Sequence, residues 1–367
     1  MASINVPEIS TGDVVQVISD YYYKMIIRGI PCKDVRPIML FGPTGVGKSS
    51  AIYQIVDELE EQIDKSFHVV DIRLTSCTVT DLMGIPAANM DRTATVWLRP
   101  DIYDVADSDD YYIYFFDELD KASPSVQAAA LQLILDRRAW THEFPPNTFV
   151  IAAANPARGV GENQTKMAPE LMNRFKHFNV QPDYDSFKEW GEKVNVHPYV
   201  LGYLSYDRSS LYSNSESAEV AFPTPRSWKS VSDTLHAFEG DFESVSDLHY
   251  NIAGEIGTGA ALEFEGWCEV YNFIPSVERI AVGKETNLPG APDVISALIS
   301  SILTFIKKHG KTIKPAYLRN LCVYAGRFPE DYQMLFYIEL RGIKDVATKL
   351  MGIPEYCDWM KEHGDAM

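Results

Sequence analysis

Apolar residues collect in five short runs in the first half of the chain, at 37–41, 67–74, 111–116, 148–154 and 175–180. All are of strand length. The third, Tyr111-Tyr112-Ile113-Tyr114-Phe115-Phe116, is apolar enough to be buried on both faces. Between the runs the apolar spacing becomes helical, most clearly over 124–138. Strands that alternate with helices imply βαβ crossovers, so the pattern predicts an α/β fold with a five-stranded parallel sheet. A ligand then belongs beyond the C-terminal ends of the strands. Residues 1–35 read as helical, with Thr11-Gly12-Asp13 as a candidate cap and Tyr21-Tyr22-Tyr23 as packing.

Residues 81–100 break the alternation. Turn chemistry at Asn89-Met90-Asp91-Arg92, between β-type residues, predicts a short hairpin at 84–100. Such a hairpin is either decoration packed on the domain or a loop that faces a central pore or a partner protein. From Asp183 onward the apolar spacing is helical, at 186–194, 198–204, 225–238, 244–256 and 259–271. Further helices follow at 293–308, 314–325 and 329–341, with a last one near the C-terminus. A polar loop rich in Ser, Tyr, Asn and Glu occupies 205–221, and a Gly/Pro-rich connection 282–292. The expected division is an α/β core at 1–182, a helical lid at 183–275 and a helical C-terminal extension at 276–367.

A chain of 367 residues, 46% hydrophobic and with mean hydropathy −0.15, fits a soluble globular protein of two or three domains. No apolar run approaches the length needed to cross a bilayer. Met1-Ala2-Ser3-Ile4-Asn5 lacks the charged-then-apolar layout of a signal peptide, so the expected location is the cytoplasm. A net charge of −18 argues against nucleic acid as the main partner, because duplex-binding surfaces carry a basic excess. Cys32, Cys77, Cys268, Cys322 and Cys357 are scattered, with no C-x-x-C pair, and read as reduced structural thiols. The histidines are equally dispersed and no H-E-x-x-H occurs, which leaves Mg2+ delivered with a nucleotide as the expected metal.

The chemistry concentrates where the first strand ends. Gly42-Pro43-Thr44-Gly45-Val46-Gly47-Lys48-Ser49 follows the run at 37–41 and precedes a helical segment at 50–61. That is the strand–loop–helix context in which G-x-x-x-x-G-K-[ST] is a phosphate-binding loop. Its glycines let the backbone curl until N–H groups face inward, and the helix N-terminus adds a positive dipole end. Lys48 can reach the β- and γ-phosphates, the Ser49 hydroxyl can ligate Mg2+, and Ser50 completes the nucleotide-binding set.

Asp117 and Glu118 end the third strand, where a carboxylate is costly without a cation opposite. Mg2+ bound with ATP supplies one, with Asp117 as its ligand and Glu118 as the general base that orients the attacking water. Capping of the next helix is the alternative for the pair. The fourth strand ends Ala153-Ala154-Asn155-Pro156, where Asn155 either caps or holds that water with Glu118. Arg174 stands just before the fifth strand, and Arg226 follows Pro225 at a helix start. Each is either a surface ion-pair residue or a guanidinium that stabilises charge on a transferring phosphoryl group, worth about 10³–10⁵ in rate.

Together these elements resemble the AAA+ ATPases, in particular the MoxR-type branch of the helix-2-insert clade. The matching set is 42–49 (Walker A), Asp117-Glu118 (Walker B), Asn155 (sensor 1), Asn173-Arg174-Phe175 (arginine finger) and Pro225-Arg226 (sensor 2). The surrounding text matches too, in Asp117-Glu118-Leu119-Asp120-Lys121-Ala122, Ser125-Val126-Gln127 and Ala130-Leu131-Gln132. The hairpin at 84–100 resembles the insert of this clade, and the likeness covers roughly residues 7–275.

The resemblance implies a P-loop NTPase core and a helical lid, with ATP and Mg2+ as cofactors. It also implies a homo-oligomeric ring, usually a hexamer, with ATP between subunits. Arg174 would then act in trans, while Arg226 would sense the nucleotide from the lid, in cis or in trans. The implied work is chaperone-like remodelling of a protein client, often with a partner that carries a von Willebrand A domain. The segment after Asn272 has no motif of the family, and the loop at 205–221 is longer than a compact lid needs. Two other readings stand beside the remodeller. A nucleic-acid-stimulated motor is disfavoured by the acidic charge, and a nucleotide-gated scaffold without turnover by the intact Lys48, Asp117 and Glu118. No N-K-x-D motif points to a GTPase.

Overall fold

The five apolar runs become strands of one parallel sheet, and a sixth strand joins them at its edge. The computed structural model describes residues 6–103, 109–140, 142–155, 172–213, 220–271, 275–290 and 292–363. Its main sheet comprises β1 (Glu8–Ser10), β2 (Ile38–Phe41), β3 (Phe67–Arg73), β6 (Tyr111–Asp117), β9 (Thr148–Ala154) and β10 (Lys176–Gln181). Their spatial order is β1-β10-β2-β9-β6-β3, with every pairing parallel.

The sheet thus has six strands where the apolar pattern predicts five. The extra strand, β1, is only three residues long, too short to show an alternation, and lies in a stretch expected to be helical. It pairs with β10 in the register Glu8↔Asn179. The helix α1 (Thr11–Ile27) starts directly after it, and its cap is Ser10, whose hydroxyl accepts the Asp13 N–H at 3.0 Å.

Strand geometry explains why the central runs are continuously apolar. Successive side chains point to opposite faces, and both faces are covered. Phe149, Ile151 and Ala153 of β9 pack with Val14 and Ile18 of α1 and with Ile52 and Ile55 of α2 (Lys48–Gln62). Val150, Ala152 and Ala154 pack on the opposite side with Val126, Ala130 and Ile134 of α4 (Pro124–Asp136). All seven residues of β9 are buried. The short helix α3 (Val79–Met83) leads into the expected hairpin, β4 (Ile85–Ala88) and β5 (Thr95–Leu98), paired antiparallel with Ile85 opposite Leu98. A second, unpredicted hairpin is formed by β7 (Arg138–Ala139) and β8 (His142–Glu143). Trp97 of β5 stacks on Trp140 of its turn, with ring centroids 4.7 Å apart.

The chain divides into two compact units. The first is Met1–Asn195 with Leu211–Ser213 and Thr224–Lys229, and so includes α5 (Tyr184–Lys193) and the start of α7 (Pro225–Ala237). The second is Val196–Ser210, Asn214–Pro223 and Ser230–Met367, and includes α6 (Pro198–Tyr206). Residues 214–219 of the polar loop lie outside the described residues. The second unit is helical and has its own core. Leu298, Ile302 and Ile306 recur at helical spacing on Pro292–His309 and pack with Leu318, Cys322, Phe336 and Leu340 of the next two helices. Among the described residues no helix is long and apolar enough to cross a membrane.

Candidate functional site

The turn from β2 into α2 is held in a shape that side chains would forbid. Gly45 and Gly47 have φ of 79° and 105°, values that glycine alone adopts without strain. A Cβ on Gly45 would lie 2.8 Å from Thr224 Oγ1, and one on Gly42 2.7 Å from the Val180 carbonyl. The loop is also braced by hydrogen bonds. Gly45 O accepts the Arg226 N–H at 3.3 Å, and the Thr11 hydroxyl donates to Val46 O at 3.2 Å. At the head of α7, Thr224 and Ser227 cap one another, each hydroxyl accepting the other's N–H at 3.0 and 2.8 Å.

Because β2, β9 and β6 are adjacent, their C-terminal ends bring the loop, Asn155 and the Asp117-Glu118 pair to one place. A cavity of about 150 Å3 opens there, lined by Thr44, Gly45, Val46, Gly47, Lys48, Ser49, Arg73, Asp117, Glu118, Asp120, Lys121, Ala154, Asn155 and Arg226. Arg226 therefore faces the cavity of its own chain. Arg174 does not line it. That residue is exposed in the turn at 172–175, where the Phe175 N–H bonds Met172 O at 3.1 Å. Pro156, Pro169, Glu170 and Leu171 lie outside the described residues.

Inside the cavity the charged groups answer one another. Lys48 Nζ donates to Gly42 O at 2.6 Å, Pro43 O at 3.0 Å and Asn155 Oδ1 at 3.3 Å. Burial lowers its pKa to about 8, against the opposing pull of Asp117 and Asp120 and with a smaller push from Arg226 and Lys121. Desolvation disfavours the charged amine and the nearby carboxylates only partly offset it. The Ser49 hydroxyl donates to Asp117 Oδ2 at 3.3 Å, an oxygen pair of the kind that Mg2+ takes alongside phosphate. These residues fit a magnesium nucleotide: a hydroxyl and a carboxylate for the metal, a lysine and a glycine loop for the phosphates.

Glu118 has φ of 57°, a left-handed conformation that costs a non-glycine residue about 1–2 kcal/mol and that clusters at working sites. Its N–H bonds Asp117 Oδ1 at 2.8 Å, while its carboxylate accepts from the Thr75 hydroxyl at 2.7 Å and from Lys121 Nζ at 2.9 Å. Those two donors, Thr75 first, hold its pKa below the usual glutamate range. Asp120 is buried beside them and accepts the Asn155 N–H at 3.2 Å.

A second cavity of about 200 Å3 adjoins the first, sharing Gly45, Val46, Gly47, Ser49 and Arg226 with it. Thr11, Gly12, Ser50, Gln54, Asp183, Ser186, Phe187, Trp190, Pro225 and Lys229 complete its lining. Its wall is mainly apolar, the character of a site for a flat organic group.

Several residues of the site carry no motif. Arg73 lines the cavity and Thr75 bonds Glu118 because β3 runs beside β6 with Arg73 in register with Asp117, and no local pattern gives strand order. Asp120 and Lys121 fall inside the quoted motif, though the sequence alone assigns them no task. Phe187 and Trp190 are visible in the sequence only as the apolar face of α5.

Residues 37–175 match the profile of the AAA domain, dynein-related subfamily. No curated protein matches the chain significantly. Among solved structures, a candidate ATPase of Cytophaga hutchinsonii aligns at 13% identity over 89% of this chain and 88% of that one, with TM-score 0.31. A RuvB mutant of Thermotoga maritima aligns at 15% over 84% and 88%, with TM-score 0.38. The ORC2 protein of Aeropyrum pernix, solved as ADPNP–ADP complexes, aligns at 10% over 94% and 88%, with TM-score 0.40.

Proposed function

With an AAA domain at residues 37–175 as the premise, we propose that the chain is an ATP-hydrolysing, ring-forming remodeller of the MoxR type that acts on a protein client. The observation that carries this reading is the meeting of Lys48, Ser49, Asp117, Glu118, Asn155 and Arg226 around one 150 Å3 cavity at the ends of three adjacent strands. Lys48 and the loop N–H groups bind the phosphates, and Ser49 with Asp117 hold Mg2+, which supplies positive charge against the developing phosphate charge. Glu118 takes the proton of the attacking water and Asn155 orients that water. The second cavity takes the adenosine. Arg226 works in cis, a role supported by its position on the wall of its own cavity. Arg174, exposed and away from that wall, serves a neighbouring subunit in trans.

The helical lid at 183–275 moves against the core as ATP is turned over, and the ring transmits that motion to the client, alone or with a partner that bears a von Willebrand A domain. The net charge of −18 favours a protein client over nucleic acid. Steady-state phosphate release tests the chemistry. Lys48→Ala should abolish ATP binding, whereas Glu118→Gln should bind ATP and hydrolyse it about 10²–10⁴ times more slowly. Normal turnover in Glu118→Gln removes the glutamate from its role. The same variant, holding ATP, is the trap for the client. Stimulation by DNA or RNA with no protein retained would replace the remodeller by a nucleic-acid motor.

A further inference from the structure

We propose that Asp120 is a positioning residue for hydrolysis, acting through Asn155 on the cavity that the ATPase reading above makes catalytic. β9 ends at Ala154, which is in register with Phe41 of β2. The N–H of Asn155 is the first beyond that strand, and Asp120 Oδ1 accepts it at 3.2 Å. In the other direction, the Leu119 N–H donates to Ala153 O at 3.0 Å. The two bonds, running opposite ways, tie the turn that carries the acidic residues to the end of β9. Asn155 Oδ1 in turn accepts from Lys48 Nζ at 3.3 Å. A continuous path of contacts therefore links Asp120, Asn155 and Lys48.

Asp120 is no ordinary cap. It is 7% exposed, and its second oxygen, Oδ2, is buried without a hydrogen-bond partner among the described residues. A half-satisfied buried carboxylate is costly, and an uncharged side chain could accept the same N–H at lower cost. What the charge adds is a stronger bond to that N–H, and so a more fixed Asn155. Burial pushes the Asp120 pKa above the usual aspartate range, and the Asn155 N–H, Lys121 and Lys48 oppose that rise. Asp120 lines the same cavity as both lysines. An amide that must hold a water or a phosphate oxygen within a few tenths of an ångström gains from that fixation.

The test uses the full chain and reads kcat and nucleotide affinity separately. Asp120→Ala should lower kcat by about tenfold, the factor that a lost hydrogen bond of ordinary net strength corresponds to, with affinity for a fluorescent ATP analogue changed far less. Asp120→Asn keeps an acceptor without the charge and should fall between wild type and alanine. The double variant Asp120→Ala, Asn155→Ala should be no slower than Asn155→Ala alone, because both remove one device. Three results overturn the proposal: wild-type kcat in Asp120→Ala, affinity falling as far as kcat, or losses that multiply in the double variant.

Should the wild-type protein hydrolyse no ATP, the ATPase reading fails, and the backbone amide resonance of Asn155 decides this inference instead. It is observed in 15N-asparagine-labelled protein and assigned by its loss in Asn155→Ala. A shift in Asp120→Ala with a smaller one in Asp120→Asn supports the bond; an unmoved resonance overturns it.

Discussion

The two carboxylate oxygens of Glu118 are both engaged, and the shorter bond, 2.7 Å, comes from the Thr75 hydroxyl on the neighbouring strand's exit. A glutamate so held is a weak base: the two donors lower its pKa, Thr75 most, and a weaker base takes a proton from water less readily. Thr75→Val should therefore raise basal phosphate release several-fold, while Thr75→Ser, which keeps the hydroxyl, should leave it near wild type. An unchanged rate in Thr75→Val would mean that the bond does not restrain the base.

Lys48 makes nucleotide affinity depend on pH in a window set by its burial. The ammonium form binds phosphate, and burial brings its pKa down to about 8. The amine is thus about nine-tenths charged at pH 7 and about one-tenth at pH 9, so ATP should bind about tenfold more weakly at the higher pH. Equilibrium binding without Mg2+ checks this, and a flat profile across the window would refute it.

How far the sequence could be read depended on whether a feature is local. The strand–loop–helix at 42–49 is local, and so are the apolar strands on either side, which is why the sequence alone leads one to expect Lys48, Asp117 and Asn155 to converge. β1 escaped because three residues carry no periodicity, and Ser10 displaced the expected cap because only the start of α1 shows which hydroxyl precedes it. Arg73 and Thr75 were hidden for a different reason. Their place beside Asp117 and Glu118 follows from β3 lying next to β6, a choice made by packing. The clash that a Cβ on Gly45 would make with Thr224 spans 179 residues (224 − 45) and has no trace in either segment's own pattern.

In the second unit, acid should destabilise through His197. The residue is buried, and its pKa is pushed down to about 4, first by burial and then by His236, whose ring lies edge-on at 4.9 Å; Glu239 acts the other way. The folded state therefore keeps it neutral, whereas in the unfolded chain it titrates near 6.5. Its contribution is complete above that value and is lost as pH falls toward 4, amounting to about 3 kcal/mol at most. His197 Nδ1 also accepts the Tyr199 N–H at 3.2 Å, capping α6. Asparagine can take over that cap without titrating. Urea unfolding of His197→Asn should lose less stability between pH 7 and pH 5 than wild type does, and parallel losses would acquit His197.

Arg174 sits in a turn shaped from within its own chain. The His177 Nε2–H donates to Met172 O at 2.7 Å, and the His177 ring stacks against Phe41, the last residue of the strand that leads into the phosphate-binding loop. The turn is thus braced, yet its arginine is exposed and does not line the cavity of the same chain. If a neighbour uses that guanidinium, Arg174→Ala should lower hydrolysis by about 10³ or more while ATP still binds. Glu118→Gln should be equally slow for a different reason. Mixing the two variants creates sites in which an intact Glu118 of one subunit meets an intact Arg174 of the next, and those sites should recover part of the wild-type rate. Mixed assemblies shown by native mass spectrometry to contain both variants, yet no faster than either alone, would take the arginine out of the neighbour's site.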